Sequence, residues 1–493
     1  MSIPVLLGID LGTSATKVCA VDANGNEVAH GACAYQPAEE GPAPAEADTH
    51  TWWKGVREAT GQALRAGNLA VQAVGLSGQM HGVVAVDAEG SCVRRPIIWS
   101  DTRAMPCIPH LARIEIPFRA SILNKLGPGF AAAILYWLSQ AEPATLARAR
   151  WALQPKDWLG LRLTGGIATD ASDASATGLW DFQHAAWHRE FCDAIPIDYR
   201  LLPPVLGGDQ VRGGLREEAA LDLGLCAGIP VVLGRADTVA SHLGSNSSLA
   251  AGHVILTLGT GGQLCQLLAP ASAQPAEPPE GVMYLVGPGD HDHYIMAPTY
   301  SAGTSLDWAR RLWSLSWEQL FTTAFSVPAT VDGPLFTPFA PGQGPAPVAA
   351  TPTASWHDVR QGNHQGDLLR AALEGCIYAL RMAKERLLEH RQASPFTSCT
   401  LVGGSARDDR VKQLAADVLG ISIRSPEFHN ASARGAALSA GVAAGWFSSA
   451  RAASQHLARP LSTIEPDPMA QIVHSRRFER FSAIIGGPHG GAG

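Results

Sequence analysis

The chain has 493 residues, 46% hydrophobic and 16% charged, with 37 basic and 44 acidic side chains and a net charge of −7. A single core stops growing near about 250–300 residues, so a chain of this length divides into two domains of similar size. The acidic balance, without a long basic run or an uncharged apolar run of about 18 residues, excludes nucleic acid and membrane as partners.

In chain order, an apolar run over residues 6–9 leads into Asp10, then Gly12, Thr13 and Ser14, then a second apolar run over 18–21. This reads as strand, tight turn, strand, and Asp10 breaking the first run argues against a secretory leader. A turn over 22–25 follows. Residues 51–66 carry Trp52, Trp53, Val56, Ala59, Ala63 and Leu64 at helical spacing. Residues 71–76 read as a strand running into Ser77, Gln79, Met80 and His81, and 82–93 as a hairpin turning over 87–90. Ile97 and Ile98 lead to Trp99 and Asp101. Residues 231–234 lead to Asp237, with a helix beginning at Val239. Each is a strand that ends in polar residues.

Residues 252–268 then repeat the opening plan. The LGT of 11–13 returns at 258–260, about half the chain later and again between apolar strands, which predicts two domains of one fold. Residues 366–390 read as a long helix, 400–402 as a strand and 411–419 as a helix. The Pro- and Ala-rich stretches 269–281 and 338–352 read as surface loops, and the glycine-rich tail from Gly486 as frayed. Alternating strands and helices with glycine-rich junctions give an α/β class built on central sheets.

Glycine turns with consecutive backbone N–H groups bind phosphate oxygens. Two of them, one per domain, would face each other across a cleft. Asp10 beside the first suits Mg²⁺, and Thr13, Ser14 and Lys17 add donors. The competing reading is an ordinary tight hairpin with Asp10 as a turn residue. Nothing matches the GxxxxGK[ST] phosphate loop, and no GxGxxG follows a strand. Asp237, at a strand end, is either a general base or a helix cap. The 17 histidines are scattered. His184 and His188 lack HExxH context, and His291 and His293 lie in a polar loop, so none reads as a metal ligand. The nine cysteines are odd in number and include no CxxC pair, which fits buried thiols in a reducing cytoplasm.

These segments together resemble the FGGY carbohydrate kinases, a family with the actin-like ATPase fold, over residues 3–447. The resemblance is carried by GIDLGTSATK (8–17), SGQMHG (77–82), WSDTR (99–103), KDWLGLRLTG (156–165), TDASDAS (169–175), LGTGG (258–262) and GGSAR (403–407). It implies two actin-like (ribonuclease H-like) domains with an active-site cleft between them. Residues 1–246 would hold the sugar and the first phosphate loop; 247–493 would hold the second phosphate loop and the nucleotide. The implied reaction uses ATP and Mg²⁺ to convert D-xylulose to D-xylulose 5-phosphate. Carried over by position, Asp237 is the implied base and Asp10 the Mg²⁺-organising acid, with Asp237 beside the metal. Met80 and His81 are the implied sugar contacts, and Gln79, Asp101 and Thr238 line the same pocket. Gly12, Thr13, Ser14 and Lys17 serve one phosphate loop, and Gly259, Thr260 and Gly261 the other. Gly403 and Gly404 would let backbone approach adenine or ribose closely. A homodimer is the expected assembly, since symmetric dimers are the commonest.

The chain departs from the family at Arg235, Ala236 and Thr238 around the base, at Gly261, and over 342–347, where GQGPAP replaces a charged segment. A kinase for another ketose or polyol, and a weakly active sugar- and nucleotide-binding sensor, are the alternative readings.

Overall fold

The computed structural model describes residues 2–35, 45–245, 253–259, 261–269, 275–289, 292–299, 302–339, 353–396, 398–426, 428, 430–457 and 461–486. These residues form two seven-stranded sheets and four two-stranded ones. The first runs Val211–Gly214, Pro230–Val232, Leu69–Gly78, Ile3–Leu11, Ala15–Val21, Glu27–Ala34, with Arg235–Ala236 also paired to Leu69–Gly78. The second runs Met283–Val286, His293–Thr299, Gly262–Leu267, His253–Leu258, Ser398–Val402, Ile423–Ser425, Ser462–Ile464.

The two sheets share a plan. In each, a run of antiparallel strands, three in the first sheet and four in the second, is extended by parallel strands: Ile3–Leu11 beside Leu69–Gly78, and His253–Leu258 beside Ser398–Val402. The repeat seen in the sequence is therefore a structural repeat. Parallel strands are covered on both faces and read as unbroken apolar runs; Val5, Leu6, Leu7, Ile9 and Leu11 are all buried. Helix Thr49–Leu64 closes the first crossover. Asp48 caps it by accepting from His50 N–H, and Trp52, Val56, Ala59 and Ala63 face inward. Helix Gln365–Leu388 precedes the corresponding strand of the second sheet.

Helix Ala431–Ala443 comes from the second half of the chain but lies on the first sheet. The approach is close enough that a Cβ on Gly8 would sit 1.8 Å from Ala433 O. Helix Asp237–Gly244 packs against the same helix, where a Cβ on Gly435 would sit 1.8 Å from Ala240 O.

The segment 82–93 forms the expected hairpin in part, with Val86 bridging Cys92 across the turn. The turn over 87–90 forms, but Val84–Val86 takes Trp151–Leu153 as its ladder partner. Ile97 makes isolated bridges to Glu46 and Val83 rather than a strand. All nine cysteines are free thiols. Among the described residues, no helix is long and apolar enough to cross a membrane. Residues 342–347 and the tail from 487 lie outside the described residues.

Candidate active site

A cleft of about 1590 Å³ opens between the two sheets. It gathers Asp10, Gly12, Thr13, Ser14, Lys17, Gln79, Met80, His81, Asp101 and Asp237 from the first half of the chain, and Gly259, Gly261, Gly403 and Gly404 from the second. Thr260 lies outside the described residues.

The two acids reach the cleft from neighbouring elements. Asp10 is the penultimate residue of its strand and pairs in register with Lys17. Burial raises its carboxyl above the usual range, and nearby Lys17, Ser77 and Asn430 offset that in part. Its Oδ1 is buried and meets no hydrogen-bond partner among the described residues. Asp237 opens helix Asp237–Gly244 directly after the short strand Arg235–Ala236. Burial first, and then the charge of Asp10, push its carboxyl up to about 7. A carboxyl poised there accepts a proton far better than an ordinary aspartate.

Thr238 does not line the cleft, against the sequence expectation. It is buried behind the acid, donating to Asp237 Oδ1 at 3.3 Å and accepting from Gln263 Nε2 at 3.3 Å. The Thr238 hydroxyl is thereby spent on the carboxylate and on Gln263 rather than offered to the cleft.

The first glycine turn is braced from within. The Thr13 hydroxyl donates to Gln79 Oε1 at 3.1 Å and accepts from Trp99 Nε1–H at 2.9 Å, while Gln79 Nε2 reaches Gly12 O at 3.5 Å. Thr13 and Gln79 therefore spend their polar groups on each other, and Ser14, Lys17 and the turn backbone remain to face a ligand.

His81 has a left-handed backbone, φ 72°, a conformation costly for a residue with a Cβ. Its Nδ1 lies 2.5 Å from Ala176 O, so Nδ1 carries the proton and Nε2 is left as an acceptor. Burial pushes the ring down to about 4, so it stays neutral. Met80, Met283, Met296 and Phe130 supply apolar wall around it. Asp101 lines the cleft, but Arg103 grips both of its oxygens at 2.9 Å, and the same guanidinium pairs with Glu46 at 2.9 Å.

At the other end, Gly404 faces open space, whereas Gly403 does not. Gly403 has φ 108°, and a Cβ there would sit 2.3 Å from Leu258 O. Glycine is required at 403 by the neighbouring strand, whatever approaches from the cleft. Arg407, Phe428 and Ile464 complete this end.

Sequence reading assigned no role to Arg103, Gln263, Asn430 or Ser432, all of which line the cleft. Asn430 had a usable signal, an Asn before a helical run; it caps Ala431–Ala443 by accepting from Ala433 N–H. Arg103 lay within the WSDTR motif of 99–103, and Gln263 and Ser432 carry no local signal.

Comparison with known proteins places the two halves of the chain in one family. Residues 5–244 match the N-terminal domain, and 254–444 the C-terminal domain, of the FGGY family of carbohydrate kinases. A xylulose kinase of Bacillus subtilis is 28% identical over 486 residues, covering 97% of this chain and 96% of the relative. One from Escherichia coli K12 is 30% identical, covering 84% of each. A crystal structure of a xyloylose kinase from Brucella ovis superposes with a TM-score of 0.84 at 29% identity, over 98% of this chain and 99% of that one. A gluconate kinase from Lactobacillus acidophilus, at 21% identity and TM-score 0.83 over 98% of each chain, shares the fold.

Proposed function

Since the chain belongs to the FGGY family of carbohydrate kinases, we propose that it transfers the γ-phosphoryl group of ATP to the terminal hydroxyl of D-xylulose. The observation that carries this reading is Asp237: a carboxyl at a strand–helix junction, facing the cleft shared with both glycine turns. In the proposed step, Asp237 takes the hydroxyl proton and the freed oxygen bonds to the γ-phosphorus. The bond from that phosphorus to the bridging oxygen breaks, and ADP leaves with the electron pair. Such transfer asks the protein for positioning and charge neutralisation more than covalent chemistry.

The unpartnered Asp10 Oδ1 fits a divalent cation. Among the described residues no cluster of three or more acidic, His or Cys side chains forms a metal cage, which suits Mg²⁺ held by one or two carboxylates together with phosphates. When bound it would neutralise phosphate charge beside Asp10 and Asp237. Ser14, Lys17 and the two turns would hold the phosphates, and Gly404, Arg407 and Phe428 would border the base and ribose. Closure of the halves excludes water, the competing acceptor.

The sugar end supports a neutral substrate. A sugar acid would call for a free guanidinium or ammonium opposite its carboxylate, but Arg103 is held by Asp101 and Glu46, and His81 is neutral. An apolar wall with the His81 acceptor suits hydroxyl groups instead. We also take 1–246 and 247–493 as the two domains, and a reducing cytoplasm, where thiols persist, as the setting for nine free cysteines.

The test is ADP release with Mg·ATP against D-xylulose, D-ribulose, L-xylulose, L-ribulose, glycerol and gluconate. The expected outcome is the highest kcat/KM for D-xylulose. Preference for glycerol or gluconate would overturn the substrate assignment.

A further inference from the structure

We infer that Ser172 and Ser432 are positioning residues for the transfer, two hydroxyls that hold the backbone on either side of Asp237. The inference rests on Asp237 being the base. Ser172 Oγ accepts from Ala236 N–H at 3.0 Å, the residue immediately before the base. Ser432 Oγ donates to Asp237 C=O at 3.1 Å. Fixing both ends of one residue fixes where its short side chain can point.

Ser172 is itself anchored. Its hydroxyl donates to Asp170 Oδ2 at 2.5 Å, and its N–H donates to the same oxygen at 2.9 Å. The single hydroxyl proton is thereby committed to Asp170, which leaves the lone pairs of Oγ for Ala236 N–H. Asp170 in turn pairs with Lys156 at 3.3 Å. Lys156 has no exposed surface and also meets Asp157 at 2.7 Å and Asp173 at 3.3 Å, while Arg212 holds Asp157 at 2.8 Å. Burial opposes the lysine charge, and three carboxylates more than offset it. Lys156 also reaches Leu233 O at 3.4 Å, just upstream of the base. A buried ion cluster of this kind adds little net stability, but it is a rigid footing.

The same segment touches the rest of the site. Ala176 O orients the His81 ring, and Ser175 Oγ accepts from Val286 N–H in the opposite sheet at 3.0 Å. Ser432 approaches from the other side. It sits in the first turn of helix Ala431–Ala443, lines the cleft, and follows Asn430, which neighbours Asp10. The base is therefore held by one group from the buried cluster and one from the second half of the chain.

The test compares Ser172→Ala, Ser432→Ala, Ser172→Thr and Asp237→Asn in the full chain, with Mg·ATP and the panel sugar that turns over fastest. A displacement near 1 Å lowers turnover roughly 10- to 100-fold. The expected result is a kcat loss in that range for both alanine variants, with both KM values within about twofold, and recovery of most of the loss in Ser172→Thr. Asp237→Asn is the control. If it is inactive while both alanine variants keep wild-type kcat, positioning is overturned and the base assignment stands. If the alanine variants raise KM, or lose activity only in proportion to their unfolded fraction by thermal melt, the role is structural and the inference fails. If Asp237→Asn stays active, the base assignment itself falls and takes the inference with it.

Discussion

Asp10 and Asp237 are the same side chain in unequal surroundings. Burial raises both carboxyls; Lys17 across the ladder offsets that in part for Asp10, whereas Asp237 bears the charge of Asp10 in addition. Converting the second to an amide removes the proton acceptor and leaves the phosphate turns alone. Asp237→Asn should therefore lower kcat roughly 10²- to 10⁴-fold, with ATP affinity nearly unchanged by nucleotide titration; activity within a few-fold of wild type would reject the role. His81→Ala should weaken sugar binding without altering ATP affinity, and a defect confined to ATP would reject its placement. His253, bonded to Ser398 Oγ and Thr400 Oγ1, is pushed by burial down to about 3 from 6.5. The unfolded chain takes up that proton first, so its contribution to stability is present above pH 6.5 and lost as pH falls toward 3. Urea midpoints for wild type and His253→Gln should converge as pH drops from 7 to 4; a constant gap would refute this.

At the scale of elements, patterning located most of the strands and helices but not their contacts. The LGT echo and the apolar runs announced both hairpins. The strand Val84–Val86 bridges back across its turn at Val86–Cys92, but its ladder partner, Trp151–Leu153, lies far along the chain. Lys156 and Asp157 lie in helix Pro155–Thr164 with no exposed surface, where charges in a sequence ordinarily read as surface. Removing the cation takes the ion pair from Asp170 and Asp173 while Asp157 keeps Arg212, so Lys156→Met should cost about 3–5 kcal/mol in chemical denaturation. Gly435→Ala should also destabilise, by roughly 1–3 kcal/mol or more, because its Cβ would meet backbone at Ala240 rather than a side chain able to move.

For the whole molecule, the half-chain repeat does not mean two independent bodies. Helix Ala431–Ala443 covers a face of the first sheet, and one core cluster joins Leu6, Val21, Ala73 and Val232 to Ala433, Ala437, Leu438 and Leu457. Residues 1–246 expressed alone would expose that apolar face. They should aggregate or fail to show cooperative unfolding; a soluble fragment with a sharp melt would refute the dependence.

By itself the sequence determined what is local. It held the α/β class, the paired glycine turns, the acid at the end of the first strand and the acid opening a helix, because period, turn chemistry and capping act over a few neighbouring residues. The tertiary structure decided what those residues are free to do. It spent Thr13 on Gln79 and Trp99, closed Asp101 with Arg103, turned Thr238 behind the acid and set Gly403 against Leu258. The bonds that hold the base join residues 64 and 195 positions apart. Contacts across such separations leave no periodic or local trace, and only packing brings their partners together.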